Sequence, residues 1–506
     1  MQPFNWANVV SWVPLLACPA VPSQVRFLHS NHVGLRAHWR ASRQWHPFSR
    51  QWHPAFCLLM IFIPSFAAAE DWPTYMHDNA RTGVSGETLK LPLRPAWDYA
   101  TPLPPQPAWP DSSKWDGWSK TYNLKTRQVF DRAYHVAVAG DALFFGSSSS
   151  DQVYCIDAAT GKKRWSFFTE GPVRLAPTFH DGRIYFGSDD GFVYCLEAAD
   201  GALVWKHRPG PRDRRIPGNG RVISVWPVRG SLVMQDGLLH GAAGMFPSET
   251  VFVFALDPAT GEEVWKTEQD DLPVQGYLLA SATRLYTPSG RDNPIVFDRG
   301  AGKRLRVVEG QGGTYALLTG DHIVFGPGKT GELGLVEGDQ QDQLAQFAGN
   351  HMIVTPSMSY LHTDTHISGL DRPKYLEHSR VRKALMQEHR SHRDALKKLG
   401  ADGDKEVIEK HKTEMARISV QLQEVAEQLK SCITYNEPCG QSLSLILAGD
   451  LLFAGGKDEV AAYAADSGKP LWKQAVDGDV YGLAVSGGRL FVSTDTGRIY
   501  CFQSAE

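Results

Sequence analysis

No stretch of this chain stays apolar for long. The run Ala55 to Ile63 is unbroken and nothing downstream is longer, well short of the ~20 residues a membrane-spanning helix needs, so a transmembrane protein is not expected. Common chemical signatures are missing too: there is no nucleophile elbow and no HExxH, and Gly310-Gln311-Gly312-Gly313 precedes a strand pattern where a phosphate loop would open a helix. Residues 1 to 69 contain five Arg and no Lys, Asp or Glu. Without them, 47 basic residues face 55 acidic ones, a formal charge of −8. An acidic chain with no concentrated Lys/Arg face argues against nucleic acid as a partner.

The charge-poor first 69 residues read as a targeting segment. Arg43 and Arg50 precede the apolar run, and Ala67-Ala68-Ala69 follows it, the pattern of a basic region, a short apolar core and an A-x-A cleavage site. The mature chain is expected to begin near Glu70, in a periplasmic or secreted location. The near-duplicates RQWHPFS and RQWHPAF upstream point to a start assigned too early.

What remains is rich in turn and ring residues, with 15 Trp, 47 Gly and 31 Pro in the whole chain, which describes a folded all-β chain. GDALFFGSSSSDQVYCIDAATGKKRW, ending at Trp165, recurs as DGRIYFGSDDGFVYCLEAADGALVW ending at Trp205. Further copies end at Trp265 and Trp472. Self-similarity at this period implies a solenoid or propeller, and each copy reads as short strands joined by tight turns, one propeller blade. Gly161, Gly201, Gly261 and Gly468 sit where a hairpin needs positive φ. Asp157 and Asp257 can accept backbone N–H bonds across the same turn. The Trp side chains are expected to fill the space between blades.

The units count as eight blades, with seven as the alternative: 133 to 168, 175 to 208, 222 to 268, 276 to 308, 314 to 347, 350 to 440, 443 to 475, and 481 to 502 joined by 93 to 99. The last copy lacks its Trp strand, and LRPAWDYA with Trp97 is expected to supply it, closing the ring and leaving no free sheet edge. The propeller occupies 70–506. Residues 372 to 430 break the pattern. Ile408, His411, Met415, Ile418, Leu422, Val425 and Leu429 alternate spacings of three and four, and Val381, Leu385, His392, Ala395 and Leu399 form a looser stripe, which predicts an antiparallel coiled-coil hairpin inserted in the sixth blade. His389 and His392 lack a third ligand and are read as seam or solvated residues. Cys155, Cys195 and Cys501 alternate with apolar neighbours and read as buried small hydrophobes. Cys432 and Cys439 are expected to form a disulfide in an oxidising compartment.

CIDAATGKKRW and ALDPATGEEVW resemble the pyrroloquinoline-quinone-like (PQQ-like) repeat shared by quinoprotein alcohol dehydrogenases and the lipoprotein of the outer-membrane β-barrel assembly machinery. The lead-in DWPTYMHDNARTG, with Trp72, Arg81 and Gly83, is similar to that of exported bacterial members. For the dehydrogenases the resemblance implies a quinone on the propeller axis with calcium, a catalytic Asp and a disulfide between adjacent Cys. This chain has no adjacent Cys pair and no CxxCH haem motif. The expectation is therefore a non-catalytic exported scaffold with no catalytic residue, no metal and no cofactor, monomeric, binding a cell-envelope protein or glycan through its channel face or hairpin. A PQQ- and calcium-dependent dehydrogenase and a polysaccharide-binding module are the alternatives. Aligning the blades places Tyr134, Arg174, Gln275, Tyr277, Tyr315 and Tyr481 on one rim of the channel, the expected ligand face.

Overall fold

Four short strands per repeat, alternating in which side chains they bury, build a ring of blades. The computed structural model describes residues 70–108, 129–290, 292–310, 315–320, 322–326, 332–337, 343–400 and 403–505, all within one compact unit of residues 65–506. Eight sheets of four antiparallel strands follow one another along the chain, and Val84–Ser85 adds a fifth strand, in parallel, to the seventh. Blade 1 comprises Val136–Ala139, Ala142–Ser147, Gln152–Asp157 and Lys163–Phe168. The inner strands of blades 2 to 8 are Thr178–His180, Val233–Gln235, Leu279–Ala280, Tyr315–Thr319, His351–Val354, Ser444–Ala448 and Val480–Ser486. The third blade begins later than its repeat suggests. Residues before it form a separate two-stranded ribbon, Arg215–Gly218 with Arg221–Ser224.

Period-two alternation decides which neighbour each side chain meets. In blade 1, Leu143, Phe145, Tyr154 and Ile156 join the core shared with the C-terminal blades. Their sequence neighbours Phe144, Val153 and Cys155 point the other way and pack with Ile184, Phe186 and Leu196 of blade 2. Cys155, Cys195 and Cys501 are all fully buried in such layers.

The repeat tryptophans and glycines lock adjacent blades. Gly161, Gly201, Gly261 and Gly468 have φ of 70°, 75°, 75° and 68°. A Cβ on Gly201 would lie 2.6 Å from the Trp165 ring, and one on Gly261 would lie 2.6 Å from Trp205, so Gly is required for contact as well as for conformation. The indole Nε1 of Trp165 donates to the Ala198 carbonyl at 3.1 Å and that of Trp205 to Pro258 at 3.0 Å. Trp265 likewise packs on Gly302 of blade 4, and Trp472 donates to Leu93 at 3.1 Å. In blade 6 Tyr435 takes the Trp position, covering Gly468 and donating its hydroxyl to Ala465 at 3.1 Å. Asp157 and Asp257 each accept two backbone N–H bonds within their turns.

Both ends of the chain meet in blade 8. Leu93–Ala100 pairs with Arg498–Ser504, with Trp97 opposite Cys501 and Asp98 opposite Tyr500. Trp97 then covers Gly161 of blade 1 and donates to Ala158 at 3.1 Å, so one strand seals the ring.

The helices α1, Arg372–Leu399, and α2, Lys405–Ser431, are inserted between the last two strands of blade 6. Asp371 and Asp404 cap their N-termini. Ile418, Val425 and Leu429 lie buried along the seam, and His392 faces His411 with 2.7 Å between their Nδ1 atoms. Val381, expected in the stripe, is 45% exposed, and Ser379 is the residue of α1 that is buried. The expected disulfide is corrected. Cys432 and Cys439 are free thiols at opposite ends of the extended strand Ile433–Pro438, where ~3.3 Å per residue carries their Cα atoms far beyond the ~7 Å limit of a bridge.

Candidate functional site in the propeller channel

The segment before the outer strand of blade 8 crosses the channel where the inner strands leave it. Trp72 bridges to Val138 of blade 1. The carbonyls of Pro73, Asn79, Ala80 and Gly83 accept hydrogen bonds from Phe179, Ala280, Leu318 and Leu447, in blades 2, 4, 5 and 7. Arg81, fully buried, donates to Leu278 O, Thr74 Oγ1, Tyr75 O, Asp78 O and Ser231 Oγ. Burial pushes its pKa down to about 10 against the opposing pull of Asp78, Tyr277 and Tyr75. A guanidinium held by carbonyls and hydroxyls acts as a rivet, since its five N–H donors can reach several blades at once.

This strap lifts Tyr75 into the channel. Its ring stacks on Tyr277 at 3.5 Å between centroids and 8° between planes, and His135 meets Tyr75 edge-on at 4.9 Å. Beside the stack lies a small pocket open to the channel, lined by Tyr75, His135, Tyr481, Ser444 and the aliphatic side chains of Leu443 and Ile446 among others. Burial drives the Tyr75 hydroxyl up to about 12. Burial likewise drives His135 down to about 4, although its ring bonds the Phe130 backbone. The His135 Nε2 has no partner, so a neutral imidazole presents an unused nitrogen in the channel.

The opposite mouth carries a buried ionic network. Asp189 takes two bonds from Arg229, each 2.8 Å, and one of 2.7 Å from Arg174. Arg174 continues to Asp131 at 3.1 Å and to the Gln106 carbonyl at 2.8 Å. The four side chains are 1–3% exposed. Burial would raise the Asp189 carboxyl, yet Arg229 and Arg174 outweigh it and hold it low. Burial wins at Asp131, whose pKa is raised despite Arg174. Two cations and two anions balance, which is how charges persist in a dry interior. The ribbon hairpin and residues 101–108 roof this network: Asn219 bonds Ala108 O, and Arg221 pairs with Asp151 at 2.6 Å.

The residues expected to form an open rim are therefore mostly inside. Tyr134 is buried, its hydroxyl donating to Leu103 O at 3.0 Å. Arg174 is consumed by the ionic network and Tyr277 by the Tyr75 stack. Gln275 is buried beside Ser289. Tyr481 is half-buried and lines the cavity, and the Tyr315 side chain lies outside the described residues. Sequence reasoning missed Tyr75, His135, Asp131, Asp189 and Arg229. Their roles arise from the strap and roof, which no repeat alignment contains. The Tyr in the lead-in DWPTY was the one available signal.

These sheets, their Trp–Gly locks and the closing strand make the chain an eight-bladed β-propeller protein of the PQQ-like repeat type. A family model described as outer membrane protein assembly factor BamB matches residues 115–270 and 430–506. Among curated proteins, the chain is 27% identical over 163 residues to quinoprotein ethanol dehydrogenase of Pseudomonas putida, covering 30% of this chain and 25% of that one. It is 24% identical over 159 residues to 1-butanol dehydrogenase (quinone) of Thauera butanivorans, covering 30% and 24%. The matches thus span about a quarter of the length of these relatives. Quinohemoprotein alcohol dehydrogenase from Comamonas testosteroni shares the fold, with a TM-score of 0.57 at 12% identity over 86% of this chain and 81% of that one. These findings correct the expected non-catalytic scaffold: the named relatives are dehydrogenases.

A planar quinone tricarboxylate with calcium would need a flat ring partner, cations and a cluster of oxygen ligands. Of the two stacked rings, Tyr75 is the one that lines the cavity, and it offers that flat partner. Arg174 and Arg229 are cationic but already paired. Among the described residues no group of three or more His, Cys, Asp or Glu could hold a metal ion. The aromatic part of such a site fits, and the metal part does not.

Proposed function

We propose that this chain is an exported oxidoreductase of the quinoprotein dehydrogenase type, with its redox cofactor and substrate taken up at the channel cavity. The observation that carries this reading is the Tyr75–Tyr277 stack at 3.5 Å beside an axial cavity, in a chain whose named relatives are quinone-dependent alcohol dehydrogenases. When bound, the quinone would supply two-electron acceptance; Tyr75, backed by Tyr277, would give its ring a flat surface. His135, neutral by burial, has Nε2 in reserve to accept a hydrogen bond from a hydroxyl ligand. Leu443, Ile446 and Leu483 exclude water from that side. Export is supported by the apolar run and A-x-A pattern before Glu70; no helix among the described residues is long and apolar enough to cross a membrane.

Titration of the exported protein with pyrroloquinoline quinone, with and without Ca²⁺, tests the reading. Saturation near one equivalent in absorbance, with ethanol- or butanol-dependent reduction of a dye, is expected. Absence of both a spectral change and dye reduction overturns it.

A further inference from the structure

The strap begins with an amide held in an unusual place. Glu70 N donates to Glu87 Oε1 at 2.6 Å. The same carboxylate accepts Gly487 N and Gly488 N, each at 2.8 Å, and Glu87 is only 6% exposed. Among the described residues no Lys, Arg or His pairs with it. A buried carboxylate normally has a cationic partner or neutralises; three backbone N–H groups stabilise it without balancing its charge.

The first two residues of the strap are fastened by further hydrogen bonds. Ser486 Oγ donates to Glu70 O at 2.8 Å, Ser85 Oγ and Gly86 N donate to Glu70 Oε2 at 2.8 Å, and Asp71 accepts Gly140 N at 2.7 Å. The first anchored nitrogen is also the residue after Ala67-Ala68-Ala69, the small-residue pattern of a cleavage site. Two independent observations, one of sequence and one of hydrogen bonding, meet at the same peptide bond.

We infer that the chain is cut between Ala69 and Glu70 and that the new α-ammonium of Glu70 is the missing cationic partner of Glu87. An endopeptidase of the export machinery supplies the catalyst and water the co-reactant. The C–N bond breaks, the hydroxyl of water goes to the Ala69 carbonyl carbon and its proton to Glu70 N, and the new Ala69 carboxyl ionises to supply the second proton that makes the amine an ammonium. The amide–carboxylate bond becomes an ammonium–carboxylate ion pair, pinning the strap to the turn Gly487-Gly488 of blade 8. Processing and closure of the channel are then one structural event. The inference rests on the export reading above.

The test uses the full-length chain expressed in a Gram-negative host, recovered by fractionation and examined by intact mass and N-terminal sequencing. A periplasmic protein beginning at Glu70 is expected. Its α-amine, treated with an acylating reagent near neutral pH, should react at least tenfold more slowly than that of Glu87→Gln. Glu87→Gln keeps an oxygen for Gly487 and Gly488, and Glu87→Asp, which retains the charge, should restore part of the protection. An exported chain with a different first residue, or equal acylation rates, overturns the pairing alone. A chain recovered uncut in the cytoplasm overturns it together with the export reading.

Discussion

At the scale of single residues, the turn glycines separate two costs. Gly201 and Gly182 both have φ of 75°, but a Cβ on Gly201 meets the Trp165 ring at 2.6 Å while one on Gly182 meets nothing within 4 Å. Gly182→Ala should cost about 1–2 kcal/mol, the penalty of left-handed backbone. Gly201→Ala should cost about 2–3 kcal/mol more, because the indole must leave its groove; urea unfolding of the two variants measures the difference. A pH dependence also follows from single side chains. Burial pushes His135, His240 and His362 from 6.5 down to about 4. As pH falls through 6.5 the unfolded chain takes up protons that the folded chain refuses, so stability declines between about pH 6.5 and 4 and levels off below. Each histidine contributes roughly 3 kcal/mol to that decline, together comparable with the whole stability of a domain. A melting temperature that stays flat from pH 7 to 4 would refute this.

At the scale of elements, the hairpin and the sixth blade obey different rules. The seam of α2 was legible because helical periodicity is local: Ile418, Val425 and Leu429 fall where the three–four spacing puts them. The α1 stripe was less so, since Val381 is exposed and Ser379 buried; near its base α1 also meets blades 5 and 6 through Tyr375 and Leu376, contacts that a two-helix seam pattern does not contain. Ile418→Ala removes a fully buried side chain and should loosen the helix pair by about 2–4 kcal/mol. Limited trypsin digestion should then cut within 372–431 faster than in the parent chain while leaving the blades protected. The cysteines follow from strand geometry. Alkylation of the unfolded chain without reductant should label both Cys432 and Cys439, and a mass consistent with a bridge would contradict the extended strand between them.

At the scale of the molecule, closure depends on one strand drawn from the far end of the chain. Trp97 pairs opposite Cys501, covers Gly161 and bonds Ala158, so it joins blades 8 and 1. Trp97→Ala should lower stability by about 3 kcal/mol and, unlike a substitution on an exposed face, should speed proteolysis at both chain ends. The architecture was readable from the sequence because it is made of repeats: blade count, the Trp and Gly positions and the closing strand are each a short pattern whose spacing reports local geometry. The channel was not readable. Tyr75 is carried to Tyr277 across 202 positions by a strap that belongs to no repeat, and the Asp131–Arg174–Asp189–Arg229 network joins loops from separate blades. Repeated local patterns determined the ring, because strand alternation and turn chemistry act between near neighbours. What lines the ring's axis was decided only in three dimensions, because it is set by which non-repeating segments cross the mouths and which side chains they bury there.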